Sequence, residues 1–200
     1  MYRRLSLPLA VAATIISASL AWAQIGNSKP NVASFDGTGE HAWDGNVRAS
    51  DDDLVSLLAE GVKKSPTLRS LVDRLAKSDV IVYVRMDVIS KGNGTGRLTF
   101  LSSNAGYRYL VVHVPSGQSR QKQIAALGHE MQHAVVIADA PSVTDSDSLR
   151  REFERIGSVS KSPNGRDLSF DSPSAVDTRN RIQRELAADA GAQKVASSTR

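Results

Sequence analysis

The centre of the chain reads Leu127-Gly128-His129-Glu130-Met131-Gln132-His133-Ala134, inside a run of helical periodicity that extends over about residues 120–138. Residues four apart in a helix lie about 40° apart around the axis and about 6 Å along it. The imidazoles of His129 and His133 therefore project from one face, where each can place a nitrogen about 2.0–2.1 Å from one zinc ion. The spacing predicts a metal-binding helix.

Glu130 lies next to the first histidine and is turned to the rim of this face. A carboxylate there can take a proton from a metal-bound water without binding the metal, which makes Glu130 the predicted catalytic base. The chain has no cysteine, so a metal must be held by histidines and carboxylates. The alternative interpretation is a pair of surface histidines on an amphipathic helix.

Catalytic zinc usually has three protein ligands, so a third must come from elsewhere in the chain. His41 lies in a polar segment and His113 at the end of a strand, and both are interpreted as structural or exposed. Asp139 follows His133 by six residues, but on a continuing helix it points about 100° away and lies about 9 Å further along. It is interpreted as a solvent-facing residue near the helix end.

A last predicted helix, from about Ser174 to Val195, contains Arg184-Glu185-Leu186-Ala187-Ala188-Asp189. With the His-Glu-x-x-His segment, this sequence resembles the gluzincin branch of the zincin metallopeptidases, over roughly residues 80–195. The resemblance implies that Glu185 is the third zinc ligand, and that Asp189 orients His129 without binding the zinc itself. It also implies close helix packing, made possible by Ala187, Ala188 and Ala190. A surface carboxylate pair is the alternative.

The sequence departs from this family in two places around Glu185. The interval from His133 to Glu185 is 52 residues, longer than in compact members, and Arg184 stands where the family usually has asparagine. The large C-terminal lobe of well-known members has no counterpart here. The resemblance is therefore to a minimal gluzincin.

The remaining pattern predicts an α+β fold with a small three-stranded antiparallel sheet beside the active-site helix and the C-terminal glutamate helix. β-Branched and aromatic runs predict strands at residues 80–84, 97–101 and 107–114, joined by turns at 92–96 and 104–106. Three further helices are predicted. The first has Ser50 as its N-cap, the second starts at Ser65-Pro66 with proline as the first helical residue, and the third covers residues 146–156.

Two tyrosines on the third strand, Tyr107 and Tyr109, are candidate oxyanion donors, with Tyr83 on the first strand as a further possibility. In zincins, the edge strand beside the active-site helix binds an extended peptide. Residues 107–114 immediately precede the predicted helix and are the candidate for the strand nearest the cleft.

The N-terminus has the composition of an export signal. Residues 1–23 combine a basic start, an apolar run and small residues at Ala21 and Ala23, which predicts a cleaved signal peptide, with an uncleaved membrane anchor as the alternative. Residues 24–49 are polar and predict a flexible segment, and residues 50–196 a single domain. Removal of residues 1–23 would lower the formal net charge from +4 to +2, a balance that does not favour nucleic acid.

These observations predict an exported zinc-dependent hydrolase, of the metallopeptidase type, that acts on a peptide or protein in the periplasm or outside the cell. No nucleic-acid partner and no stable membrane insertion after signal cleavage are expected. The alternatives are an exported non-catalytic zinc-binding domain and a structural or interaction domain with an accidental motif. Residues 24–49 are also a candidate pro-segment, with His41 or Asp36 near the metal.

Overall fold

The structure is a computed structural model that describes residues 45–87, 96–161 and 168–198. Within these ranges the fold is α+β, as predicted, with a four-stranded mixed sheet, a separate two-stranded hairpin and five helices. The elements in chain order are β1 (Val47–Ala49), α1 (Asp52–Lys64), α2 (Pro66–Ala76), β2 (Val80–Asp87), β3 (Arg97–Asn104), β4 (Tyr107–Pro115), α3 (Arg120–Ala138), α4 (Ser146–Ile156), β5 (Ser158–Lys161), β6 (Leu168–Asp171) and α5 (Pro173–Ser198).

The sheet has the order β1-β2-β4-β3, which corrects the predicted three-stranded antiparallel meander. β4 pairs antiparallel with β3, through the predicted turn in which Ala105 and Gly106 both have positive φ, but it pairs parallel with β2. β4 is the more buried of these two strands, as expected of a strand with partners on both sides, whereas the edge strand β3 is mostly exposed.

The sheet also begins earlier than predicted. β1 lies at the end of the segment expected to be flexible, pairs parallel with β2, and buries Val47 in the core. The Asn46 amide donates hydrogen bonds to the carbonyls of Leu75 and Ser78, at 2.8 and 2.9 Å, so this segment is tied to the end of α2. Trp43 lies outside the described residues.

Helices α1, α2 and α3 pack on one face of the sheet. Alternate residues of β2 and β4 supply the sheet side of this core, at Val80, Val82, Val84, Leu110, Val112 and Val114. Ser65 caps the N-terminus of α2 by accepting a hydrogen bond from the Leu68 amide, and Pro66 is the first helical residue, both as predicted. The N-cap of α1 is Asp51 instead of the predicted Ser50.

Arg108 fixes the C-terminal end of α3 against the sheet. Its side chain is only 5% exposed, and it donates to the carbonyls of Ile137, Ala138 and Ala140 at 2.7–3.2 Å. The carbonyls of Ile137 and Ala140 also accept hydrogen bonds from the backbone N–H groups of Ala140 and Val143, at 3.0 Å each. The guanidinium therefore adds a second, charge-assisted hydrogen bond at this end of the helix. Hydrogen bonds from Arg108 also hold the pKa of Asp79 below its usual range.

Helix α5 crosses α3 at Gly128. A Cβ at this position would collide with Cδ1 of Ile182, so the absence of a side chain lets the two helices approach closely. The predicted contact residues are not at this crossing: Ala187 and Ala188 are exposed. The hairpin β5–β6 has no counterpart among the predicted elements, and its connection, residues 162–167, lies outside the described residues.

Candidate metal centre

The two histidines of the motif meet on one face of α3, as predicted. Both are buried, with His129 8% and His133 4% exposed, and their Nε2 atoms are 3.2 Å apart. The ring of Phe153, from α4, packs edge-on against the His133 ring at a centroid distance of 4.9 Å. Helix α4 therefore helps to fix the orientation of one imidazole.

A third candidate ligand is Asp171, at the end of β6. Its Oδ1 lies 3.3 Å from Nε2 of His129, and the potential ligand atoms of His129, His133 and Asp171 all lie within 4.8 Å of one another. Atoms at the corners of a tetrahedron around zinc lie about 3.3 Å apart when the zinc–ligand distance is about 2.0–2.1 Å. The group could therefore hold a metal ion, and two of its spacings match a tetrahedral site.

Local structure explains how Asp171 reaches the histidines. Oδ1 of Asp171 accepts a hydrogen bond from the Ser172 backbone N–H at 2.8 Å, and the Ser172 hydroxyl accepts one from the Ala175 amide at the start of α5. Gly157, between α4 and β5, lies so close to the Asp171 carbonyl that no side chain would fit. The carboxylate is thus placed where the hairpin ends and α5 begins.

Glu130 lies beside this cluster and is 4% exposed. Burial, reinforced by the negative charge of Asp171, raises the pKa of Glu130 to about 8, while the positive charge of Arg179 opposes this shift. Gly96, just before β3, contacts the Glu130 side chain so closely that a Cβ there would lie 2.7 Å from Cγ. Glu130, the predicted base, is therefore shielded from solvent and packs against the start of β3.

The imidazoles are neutral at ordinary pH. Burial and the neighbouring His129 lower the pKa of His133 to about 3, and burial also lowers the pKa of His129. Metal ligation requires neutral imidazole, so both rings are already in the ligand form. Their Nδ1 atoms are buried and have no hydrogen-bond partner among the described residues.

The structure does not bring Glu185, the third ligand implied by the family resemblance, to the two histidines. Its carboxylate accepts hydrogen bonds from the hydroxyls of Ser65 and Thr67, at 2.5 and 2.6 Å, and from the Thr67 backbone N–H at 3.2 Å. Asp189 also lies away from His129, with Oδ2 3.9 Å from Nζ of Lys64. The two carboxylates share one face of α5, but that face is turned to the junction of α1 and α2.

The structure does not bring the predicted oxyanion donors to the histidines either. Arg108 and Leu110 point into the core, so Tyr107 and Tyr109 lie on the opposite face of β4, away from α3. Tyr83 occupies the same outer face, where its hydroxyl accepts a hydrogen bond from Arg48 at 3.2 Å.

The other side chains considered as ligands lie elsewhere, as interpreted from the sequence. Nδ1 of His113 is 3.8 Å from the carboxylate of Asp87, and Asp139 is exposed and accepts a hydrogen bond from Arg74 at 2.7 Å. His41 lies outside the described residues, as does Asp36, so the pro-segment hypothesis stays a prediction.

The sequence predicts β4 as the edge strand nearest the cleft, but among the described strands the one with a free edge near Glu130 is β3. β4 pairs on both sides and has no free edge, whereas β3 is the last strand of the sheet. Because β3 begins directly after Gly96, its start lies next to Glu130.

An open cavity of about 290 Å³ adjoins the cluster between α3 and α5. It is lined by Gly96, Lys122, His129, Arg179, Asn180 and Gln183, among others. Sequence reasoning missed both Asp171 and Arg179. Asp171 precedes Ser172-Pro173 and looks like part of a helix start, and one arginine among many carries no distinguishing signal.

Comparison with protein-family models, curated proteins and solved structures finds no match. Among the helices in the described ranges, none has the combination of length and apolar composition that a membrane crossing requires. The predicted signal peptide, residues 1–23, lies outside those ranges, and export stays a prediction.

Proposed function

We propose that this protein is a zinc-dependent hydrolase of the metallopeptidase type, in which His129, His133 and Asp171 hold the metal and Glu130 is the general base. The observation that carries the proposal is the convergence of three ligand atoms, with separations of 3.2 and 3.3 Å, beside a buried carboxylate. The resemblance to gluzincins supports the role of the histidines and Glu130, with Asp171 in place of Glu185.

The donor set suits zinc. Two neutral imidazoles and one carboxylate are ligands that zinc accepts in catalytic sites, with a further position open to water. When bound, the ion would act as a Lewis acid and lower the pKa of its water to near 7. The lack of cysteine thiolates excludes the closed four-cysteine type of structural site.

Glu130 would move the proton. Its carboxylate accepts a proton from the attacking water as the oxygen attacks the amide carbonyl carbon, and it returns that proton to the nitrogen as the carbon–nitrogen bond breaks. The pKa of Glu130 is about 8 without a metal. A cation nearby stabilises the charged form and lowers this pKa, which leaves a carboxylate able to accept a proton near neutral pH.

The free edge of β3 is suited to an extended peptide. An unpaired strand edge offers backbone N–H and carbonyl groups with which a peptide can pair, and the start of β3 lies beside Glu130. This edge takes the role that the sequence had suggested for β4, and it favours a peptide or protein substrate. The predicted signal peptide would deliver the enzyme to the periplasm or the exterior.

Metal content of the purified protein tests the proposed ligands. We expect about one zinc per chain in the wild type and in Glu185→Ala, and strongly reduced zinc in His133→Ala and Asp171→Ala. Elemental analysis after dialysis against a zinc buffer, with circular dichroism to check folding, measures this. Full zinc content in Asp171→Ala would contradict the assignment, and loss in Glu185→Ala would restore the ligand predicted from the sequence.

The burial of the site favours a second candidate, a zinc-binding domain without catalysis. His129, Glu130 and His133 are each less than a tenth exposed, as in a site that only stabilises a fold. Hydrolysis of casein and of a mixed fluorogenic peptide library by Glu130→Gln and wild type, both loaded with zinc, separates the two. A hydrolase loses about 100-fold or more of its activity in the variant, whereas a non-catalytic domain shows no activity in either form.

A further inference from the structure

The cavity beside His129 is bounded by positive and amide side chains. Lys122 and His129 line one wall from α3, and Arg179 and Gln183 line the other from α5. Residues at these spacings, seven and four apart, lie on one face of their helix. No acidic side chain lines the cavity in the described part of the chain.

The two cations are not neutralised within the described ranges, where neither Lys122 nor Arg179 makes a hydrogen bond or ion pair. Other arginines of the chain are paired, such as Arg108 with Asp79 at 2.6 Å and Arg120 with Glu60 at 2.9 Å. Arg179 is half-buried, and its charge lowers the pKa of both His129 and Glu130. Its guanidinium is therefore within electrostatic reach of the reacting groups.

The metal centre itself does not require this positive charge. The two imidazoles and the Asp171 carboxylate supply the three candidate ligand atoms, so Arg179 takes no part in holding the ion. The charge of Arg179 is then available to a ligand in the cavity. A guanidinium binds a carboxylate through two parallel hydrogen bonds and is less strongly hydrated than an ammonium group.

We propose that this cavity binds a carboxylate of the substrate, with Arg179 as the anchoring group and Lys122 as a second cation. The inference rests on the proposed function, since it takes the hydrolysed peptide as the ligand. A volume of about 290 Å³ lies at the lower end for ligand pockets, so it suits one residue rather than a long segment. The carboxylate belongs either to an acidic side chain or to the C-terminus of the peptide.

Four peptides of one sequence test this proposal. They carry either glutamate or glutamine at the central position, and either a free or an amidated C-terminus. Isothermal titration measures their binding to zinc-loaded Glu130→Gln protein, which does not cleave them, alone and combined with Arg179→Gln or Lys122→Gln. The matched control is Arg181→Gln, which removes an exposed arginine from the same helix that does not line the cavity.

We expect the preferred carboxylate peptide to bind about tenfold more tightly than its amide counterpart. The preference should be lost in Arg179→Gln, reduced in Lys122→Gln and kept in Arg181→Gln. Tighter binding of the glutamate peptides than of the glutamine peptides identifies a pocket for an acidic side chain. Tighter binding of the peptides with a free C-terminus than of the amidated peptides identifies a pocket for the C-terminal carboxylate. Equal binding of all four peptides, no binding of any, or a preference that survives Arg179→Gln overturns the proposal.

The same titrations distinguish a failure of the carboxylate pocket from a failure of the proposed hydrolase activity. They are repeated with metal-free protein, in which the cavity is still present. Carboxylate preference without zinc binding or hydrolysis would leave an anion pocket and refute the hydrolase. Zinc-dependent hydrolysis without carboxylate preference would refute only the pocket.

Discussion

Glu130 is a carboxyl group in surroundings that disfavour its charge. Burial raises its pKa from 4.5 to about 8, so the folded metal-free protein binds a proton that the unfolded chain releases. The resulting stability is fully present below pH 4.5, falls as the pH rises, and is lost above about 8. A cation at His129 and His133 would remove this dependence because it stabilises the ionised form.

The first prediction follows from this titration. In the presence of chelator, Glu130→Gln should be more stable than the wild type at pH 9 by on the order of 5 kcal/mol, and nearly equal to it at pH 4. Glutamine is buried without a charge to desolvate at either pH. Urea unfolding at the two pH values measures this, and a difference that is the same at both would contradict the assigned cause.

A second prediction concerns Gly128, where α5 crosses α3. Alanine is intrinsically the better helix residue by about 1 kcal/mol, but its Cβ would collide with Ile182. We expect Gly128→Ala to lower the free energy of unfolding by about 1–3 kcal/mol. Gly191→Ala is the control, since open space surrounds that position in α5, and it should be neutral or stabilising. Equal effects in urea unfolding would show that the crossing is not tightly packed.

At the scale of elements, α2 depends on a carboxylate from another helix. Glu185 accepts hydrogen bonds from Ser65, Thr67 and the Thr67 backbone N–H, at the N-terminus of α2 where a negative charge also favours the helix dipole. The third prediction is that Glu185→Ala lowers the free energy of unfolding by about 1–3 kcal/mol, because two hydroxyls and an amide lose their acceptor. Urea unfolding measures it, and Glu185→Gln should recover part of the loss. A variant of unchanged stability would contradict this role.

Helix boundaries could be predicted from the sequence because the signals for them are local. The bounds of α3 and α4 match the predicted residues, and Pro66 marks the start of α2. The rotation of α5 about its axis has no such signal. Glu185 and Asp189 share a face in any helix, but whether this face meets α3 or α2 depends on where Ile182 packs, and Ile182 packs on Gly128.

At the scale of the molecule, the candidate site joins parts that are distant along the chain. His129 and His133 come from α3, whereas Asp171 follows a hairpin that the sequence pattern did not predict. The pair of histidines could be predicted because both lie within one helical turn. The third ligand could not, since its position depends on how β5, β6 and α4 pack. The sheet order was missed for the same reason, because strand pairing is a long-range property.

The fourth prediction is that zinc stabilises the whole fold by joining α3 to the end of β6. At a free zinc concentration about 100 times the dissociation constant, the free energy of unfolding should rise by about 2.7 kcal/mol. Urea unfolding with zinc or with chelator measures this. Hydrogen exchange of the amides in 168–171 should also slow, because the metal holds Asp171 in place. Asp171→Ala is the control. In this variant, zinc should raise the free energy of unfolding less and slow the exchange less than in the wild type. If both effects were as large as in the wild type, the metal would be bound elsewhere.

The position of β4 between β2 and β3 has a consequence for the order of folding. β3 and β4 are joined by a two-residue turn, so their hairpin closes a short loop and can form on a timescale of about 1–10 μs. The parallel pairing of β2 with β4 closes a much longer loop, and such non-local contacts form more slowly. We therefore expect the hairpin to form as a nucleus that later docks on β2. Since α3 follows β4 directly, the helix that carries the two histidines would pack on the sheet in that same docking step.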